Sequence, residues 1–505
     1  MKKILINKNF WQTRVAILDQ NKLRDVYFDT HTKEDLERCF FKGKVSKVLP
    51  GIQTAFVDIG QKKAGFLHIS EIDRALATEK TAEFLQVDDT QEQEFLDRKI
   101  KSAISIEKIL TPGSEILVQV IKEPVYEKGA KLTTCYTLPG KFLVLMPNIP
   151  QIGISKKIEN KEERMRLREI LVKSLPPKMG VIIRTTAEDR KAKDLKRELA
   201  FLINIWKSIL KKFKKSKCGD KIHEDLPITL RAVRDHLDDD VEAVITDSKE
   251  DQKAIYKFVK NFTPEHANKI KFYNSPPPLF DKFDVEKQIN KALEKKVPLR
   301  SGGSLIIEVT EAMTVVDVNT GKFIGKDNPE ETILKTNLEA AEEIVDQLRL
   351  RNIGGLIVID FIDMASHVNR QKLSRNLEKA LKERDKFQSV TLKISEFGLV
   401  QMTRKRSGKT LIQQLTNTCP TCNANGFIKS DSTISFELLN NVKNEIVRQN
   451  IHGNIILTVP ERVFEYLVHN EYQSLLKLEK KLQIKIILEG DRKLKETQFN
   501  IEKAK

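Results

Sequence analysis

Cysteine and long apolar runs are both scarce in this chain. Five cysteines in 505 residues, an odd number and mostly scattered, argue against a disulfide framework and suit a reducing compartment. No apolar run approaches the roughly 18 residues of a membrane span. The opening "MKKILINKNF" offers only "ILI", against the roughly 7–15 apolar residues of a secretory leader. A cytoplasmic protein is expected. The eight histidines form no His-x-x-x-His pair and no evident nucleophile–base set. "RSGKT" resembles the end of a phosphate-binding loop, but Thr403 stands where its first glycine belongs. Aromatic residues are only 7%, so a recurring ring in a basic region is informative.

Basic charge is abundant. Lys+Arg 88 against Asp+Glu 71 leaves +17, a surplus that favours polyanionic partners, chiefly nucleic acid. The length exceeds what one core supports, so several domains are expected. Residues 1–34 alternate as strands. Phe41–Ile72 is a series of short strands broken at Gly43, Pro50–Gly51, Gly60 and Gly65, as in a small β-barrel. From Arg74 to about Lys108 the sequence is polar and weakly periodic, an insertion. Residues 189–217 read as a long amphipathic helix, either a core helix with a solvated face or a membrane-surface helix. "NSPPPLFDKF" is a rigid connector, and about 430–505 form a small α/β domain.

The sharpest local signal is "MTVVDVN". Strand alternation places Asp317 and Asn319 on one face. Downstream, "NPEETILKTNLEAAEEIVDQLRLRN" is a marked helix that Gly354 could stop, and "GGLIVIDFIDM" is a second buried strand. A crossover helix usually joins parallel strands, so Asp317 and Asp360 would end on one sheet edge. Two carboxylates and an amide suit Mg²⁺ or Mn²⁺. The alternative is that each Asp caps a turn, and Asp363 could cap the next helix or approach the ion. "TCPTCNANG" is a Cys-x-x-Cys knuckle, half of a structural zinc site. Cys218 with His223 could complete it within the chain, or a second copy could supply the same pair across a twofold axis.

Together these residues resemble the ribonuclease E/G family of bacterial endoribonucleases. The similarity runs through "LPGIQTAFVDIG", "GFLHISEI", "KGAKLTT", "FLVLMP", "TEAMTVVDVNTG", "GLVQMTRKR" and "CPTC". The resemblance implies an RNase H-like domain (1–34 and 229–292) interrupted by an OB-fold RNA-binding domain (35–133) and a 5′-sensor domain (134–228). A DNase I-like catalytic domain (293–414), a zinc link (415–429) and a small α/β domain (430–505) follow. It implies magnesium on Asp317 and Asp360 with Asn319 supporting them. It also implies RNA stacking on Phe56 and Phe66, and basic contacts from Lys128 and Lys122. A 5′-monophosphate pocket at Arg184 and Thr185 would have Gly140 and Val144 lining the terminal nucleotide. Zinc shared between subunits through Cys419 and Cys422 would build a homodimer or homotetramer. The implied activity is cleavage of single-stranded RNA, in ribosomal RNA precursors and messenger RNA, leaving a 5′-phosphate and a 3′-hydroxyl and stimulated by a 5′-monophosphate end. From the residues alone, each Phe could instead be core and "IIRTT" a strand end with a surface Arg. The insertion at 74–108 and Thr186 depart from the family pattern, and the absence of a long tail points toward the ribonuclease G branch. The competing reading is a non-catalytic RNA-binding assembly protein.

Overall fold

The fold is that of a computed structural model describing residues 1–30, 35–73, 105–124, 129–320, 329–406, 408–422, 425–494 and 498–504. Met1–Leu411 and Ile412–Lys505 form two compact units.

Alternating apolar residues at the N-terminus build three antiparallel strands, Lys2–Lys8, Gln12–Asp19 and Lys22–Thr30. Their sheet is completed from far downstream. Val241–Thr246 runs parallel to Lys2–Lys8, and Ile270–Phe272 runs parallel to Val241–Thr246. The chain between Thr30 and Val241 is therefore an excursion from one sheet.

The first part of that excursion is a barrel. Its strands follow the order Lys221–His223, Phe40–Leu49, Thr54–Asp58, Gly65–His68, Lys131–Thr133 and Glu115–Lys122, and the last pairs back onto Phe40–Leu49. Gly60 marks a corner that needs glycine twice over: its φ is +74°, and a Cβ would lie 2.6 Å from the Gly219 carbonyl oxygen. Most of the expected insertion, residues 74–104, lies outside the described residues. Its end is part of the barrel, because Ile106 and Ile109 are buried in the core beside Val57, Leu67 and Val118.

The second part is a four-stranded sheet in the order Ile152–Ile154, Gly180–Ile183, Leu143–Met146 and Leu138–Pro139. The long helix expected at 189–217 spans Ala192–Lys215. Its Leu195, Leu199, Leu202, Trp206 and Ile209 are buried against this sheet, so it is a core helix with a solvated lysine-rich face.

The last sheet of the first unit has the order Lys296–Pro298, Ser304–Val309, Met313–Asn319, Gly355–Asp360, Leu399–Arg404 and Ser389–Thr391. Its central pair is parallel and is joined by the helix Pro329–Leu350; His367–Arg384 is a second helix. Ile344, Val345 and Leu348 pack onto Val316, Ile357 and Ile359. The helix ends differently from expectation. Asn352, at φ +52°, takes the left-handed position, and the Ile353 N–H closes on the Leu348 carbonyl. Gly354 instead permits close packing, since a Cβ there would lie 2.9 Å from the Arg406 Cα.

The second unit pairs Gly453–Pro460 in parallel with Ile484–Asp491 and antiparallel with Asn500–Lys503. Helices Asp431–Arg448, Glu461–Asn470 and Tyr472–Leu482 complete it. Among the described residues no helix is long and apolar enough to cross a membrane.

Candidate metal centre and nucleic-acid interface

Asp317 and Asp360 are directly opposite one another on the two central parallel strands. Their neighbours Val316, Val318, Ile359 and Phe361 point into the core, so strand alternation sends both acids outward on the other face, where they are exposed. The Asn319 side-chain amide donates to Asp317 Oδ2 at 2.7 Å. Partial burial, then the negative Asp317 and Asp363, hold the Asp360 carboxyl above its ordinary range. A bound cation would reverse that penalty. Asp363 is itself exposed beside the turn at Gly398.

Sequence reasoning missed the support behind this edge. Asn337, wholly buried on the crossover helix, donates to the Ile362 carbonyl at 2.8 Å and accepts from the Ile362 N–H at 3.1 Å. The segment after Asp360 is thereby pinned to the helix. The available signal was an amide on the helix's apolar stripe, three residues after Leu334 and next to Leu338.

Among the described residues, no group of three or more His, Cys, Asp or Glu side chains is arranged to hold a metal ion. The donors at this edge are two carboxylates supported by an amide. Such a sparse oxygen set fits magnesium, which is usually held by one or two carboxylates and keeps several waters.

On the barrel, Phe56 and Phe66 are cross-strand partners, each half-exposed. The same row continues to Lys47 on one side, and to Lys131 and then Lys122 on the other. Lys47 and Lys122 are exposed, while Lys131 pairs with Glu71. Two rings flanked by cations suit single-stranded nucleic acid, whose bases stack and whose phosphates need neutralising. Lys47 and Lys131 were not singled out from the sequence. Lys128 lies outside the described residues.

Of the residues expected at a phosphate pocket, Arg184 and Gly140 are in contact. Arg184 Nη1 donates to the Gly140 carbonyl at 2.6 Å and to Asp235 Oδ1 at 2.8 Å. Burial pushes the Asp235 carboxyl up, but Arg234 and Arg184 outweigh it and bring it down to about 2. Thr185 is exposed, its hydroxyl 3.2 Å from that of Ser155. Thr186 donates to the Lys141 carbonyl at 2.6 Å and so braces the loop. Val144 pairs with Ile182 and Pro139, half-exposed on the outer face of its sheet. Behind the loop, the buried Glu198 carboxylate accepts the N–H groups of Lys141, Phe142 and Leu143 at 2.6, 2.8 and 2.8 Å. Glu198 was another residue that sequence reasoning missed.

In the second unit, Cys419 is exposed and Cys422 half-buried. The backbone N–H groups of Cys422 and Thr421 hold the Cys419 thiol below its ordinary range, which favours the thiolate a metal takes. The pair therefore fits half of a tetrahedral zinc site. Cys218 donates to Glu115 at 3.1 Å, and the His223 ring packs against Phe40.

Comparison with known proteins matches residues 137–407 to the model of the ribonuclease E/G family. Ribonuclease G of Escherichia coli strain K12 is 38% identical over 449 residues, covering 88% of this chain and 87% of that one. The chain belongs to the ribonuclease E/G family. Ribonuclease G of Haemophilus influenzae, another relative, is 37% identical over 474 residues, covering 94% of this chain and 93% of that one. Ribonuclease E of the same organism is 33% identical over 504 residues; they cover 99% of this family member but only 52% of the relative. An S1 RNA binding domain matches residues 40–134, which hold five of the six barrel strands, in keeping with the OB-fold expected there. The RNase E/G thioredoxin-like domain matches residues 418–504.

Proposed function

We propose that this protein is a magnesium-dependent endoribonuclease acting on single-stranded RNA. The observation that carries the reading is the register pairing of Asp317 with Asp360 on adjacent parallel strands. These two carboxylates would hold the ion, and Asn319 would keep Asp317 turned toward it. When bound, magnesium supplies a polarised water and offsets charge on the scissile phosphate. Phe56 and Phe66 would stack bases while Lys122 and Lys128 meet phosphates. Arg184 and Thr185 would receive a 5′-monophosphate, with Gly140 and Val144 against the terminal nucleotide, and so favour strands carrying that end. An Arg fork beside a hydroxyl is suited to a terminal phosphate. Hydrolysis leaves a 5′-phosphate and a 3′-hydroxyl, on ribosomal RNA precursors and messenger RNA in the cytoplasm. Cys419 and Cys422 would share zinc with a second subunit, in a dimer or tetramer. The RNase H-like, 5′-sensor, DNase I-like and zinc-link limits given above belong to the same proposal.

The test is a 5′-monophosphorylated, AU-rich oligonucleotide incubated with purified protein, with and without magnesium. Cleavage that needs the ion and disappears in Asp317→Asn supports the reading. Cleavage surviving that substitution refutes the site. No cleavage by the unaltered protein with any divalent ion would favour an RNA-binding assembly protein.

A further inference from the structure

We propose that Phe397 is a stacking platform for the RNA base adjoining the scissile phosphate, an inference that rests on the nuclease reading above. Phe397 is 78% exposed, so its ring contributes little to the core. Its backbone is nevertheless firmly held. The Gly398 N–H closes on the Ser395 carbonyl, the Ser395 N–H on the Leu399 carbonyl, and the Ser395 hydroxyl accepts the Leu399 N–H at 3.1 Å. Gly398 has φ +72°, and a Cβ there would lie 2.7 Å from the Phe361 carbonyl oxygen and 3.3 Å from Asp363 Oδ1. The turn is thus seated against the segment that carries Asp360 and Asp363.

Leu399, two residues on, is the register partner of Asp360, which is the partner of Asp317. The ring accordingly projects from a fixed turn beside the carboxylate edge. The neighbouring edge strand adds apolar surface. Val390 and Leu392 are exposed, and Val390 lies opposite Thr403, which lies opposite the exposed Leu356. Leu356 lies four positions before Asp360 on one strand, so this patch shares the acids' sheet face, toward the other end of the strand. An aromatic ring on a rigid turn has lost its backbone entropy before the ligand arrives, so stacking there retains more of its gain. A base is the occupant the position favours, because Phe397 stands two residues before Leu399, the register partner of Asp360, at the edge where a phosphate would be cut. The barrel row already pairs rings with cations, and Phe397 would supply a ring at the other end of the strand's path.

The experiment uses the full chain and an oligonucleotide whose cleavage position has been mapped. Phe397→Ala should lower kcat/KM about 5- to 160-fold, the span of one lost base–aromatic stack, while Phe397→Trp stays within about threefold. On a strand with an abasic ribonucleotide at the nucleotide adjoining the cut, the unaltered protein and Phe397→Ala should be equal. With divalent ions removed, 2-aminopurine at that nucleotide should be quenched by the unaltered protein and not by Phe397→Ala. Equal rates on the intact strand would overturn the proposal, as would an undiminished deficit on the abasic one. A drop in assembly mass for Phe397→Ala would also overturn it, by making the patch a subunit contact. Quenching that depends on Phe397, on a strand still cut by Asp317→Asn, would sink the metal-site reading while leaving the stacking. Cleavage with quenching indifferent to Phe397 would sink the stacking alone.

Discussion

Phe56 lies directly across from Phe66 on adjacent antiparallel strands, within a row that runs Lys47, Phe56, Phe66, Lys131 and Lys122. If that row is the strand's track, its rings and charges should fail in different ways. Phe56→Ala or Phe66→Ala should weaken binding of a short single strand by about 1–3 kcal/mol per ring. The salt dependence should be unchanged. Lys47→Ala or Lys122→Ala should cost less at high salt and lower the slope of log affinity against log salt by about 0.7 each. Fluorescence anisotropy across a salt series measures both. A slope that moves with the rings and not with the lysines would contradict the assignment.

Asp360 gives the proposed metal centre a pH signature. Its carboxyl is held above its ordinary range by burial and by Asp317 and Asp363. In metal-free protein the folded state therefore binds its proton more readily than the unfolded chain does. Stability should fall as pH rises through the raised value, and rise on acidification. Asp360→Asn should remove that dependence, leave the metal-free melting temperature unchanged or slightly higher, and lower cleavage by at least about a hundredfold. Thermal melts from pH 4 to 7 in chelator, beside a cleavage assay, decide it. A clear loss of metal-free stability in this variant would be the contrary result.

Asp25 and Arg349 join the N-terminal sheet to the crossover helix, with Lys386 3.0 Å from the same carboxylate. Burial pushes the Asp25 carboxyl up, yet Lys386 and Arg349 more than reverse this and hold it well below the usual range. Its stabilisation is fully present above the ordinary carboxylate pKa and is lost only as pH falls through the depressed folded value. Asp25→Asn strands two cations and should cost about 3–5 kcal/mol at pH 7. The deficit should narrow in strong acid. Urea unfolding at pH 7 and pH 3 tests it, and a cost below about 1 kcal/mol would show the contact to be superficial.

Gly140 packs against Glu198 beside the proposed phosphate pocket. A Cβ there would come within 2.7 Å of the Glu198 carboxylate, which already accepts three N–H groups from the same loop. Gly140→Ala should displace the loop at a cost of about 1–3 kcal/mol. Because Arg184 is held by the Gly140 carbonyl, the preference for a 5′-monophosphate over a 5′-hydroxyl substrate should fall. The rate on the 5′-hydroxyl strand should change little. An unchanged rate ratio would remove Arg184 and Gly140 from the pocket.

Cys419 and Cys422 can be tested by metal content. Replacing both with serine should release one zinc per two chains and lower the assembly mass seen by sedimentation. Intact assemblies with unchanged zinc would rule out the shared site.

Much of the carboxylate edge was legible because local patterns sufficed. The alternation in "VVDVN" and "LIVID", with a helix between, implies parallel strands and hence adjacent acids. The phenylalanine row needed more. Lys47 and Lys122 each reach it across a register shift, between Val45 and Lys47 and between Val120 and Lys122, and no single strand's periodicity shows such a shift. Arg349 suited the helix dipole in sequence, but its partner is Asp25, which only the tertiary fold brings near. Gly354 suits a helix stop in the sequence pattern, whereas Asn352, which tolerates the left-handed region, ends the helix. Asn337 and Glu198 were obscure for a related reason: a buried polar group makes sense only once the backbone it satisfies is in place.

The pairing of Lys2–Lys8 with Val241–Thr246 bears on how the chain is born. On the ribosome the first three strands emerge early, yet their fourth neighbour is translated only after the barrel and the sheet beyond it. Until then the nascent hairpins expose an unpaired edge, the kind of surface other chains can join. Any truncation between Thr30 and Val241 would leave that edge permanently open, so shortened forms should aggregate even where the barrel has folded soundly.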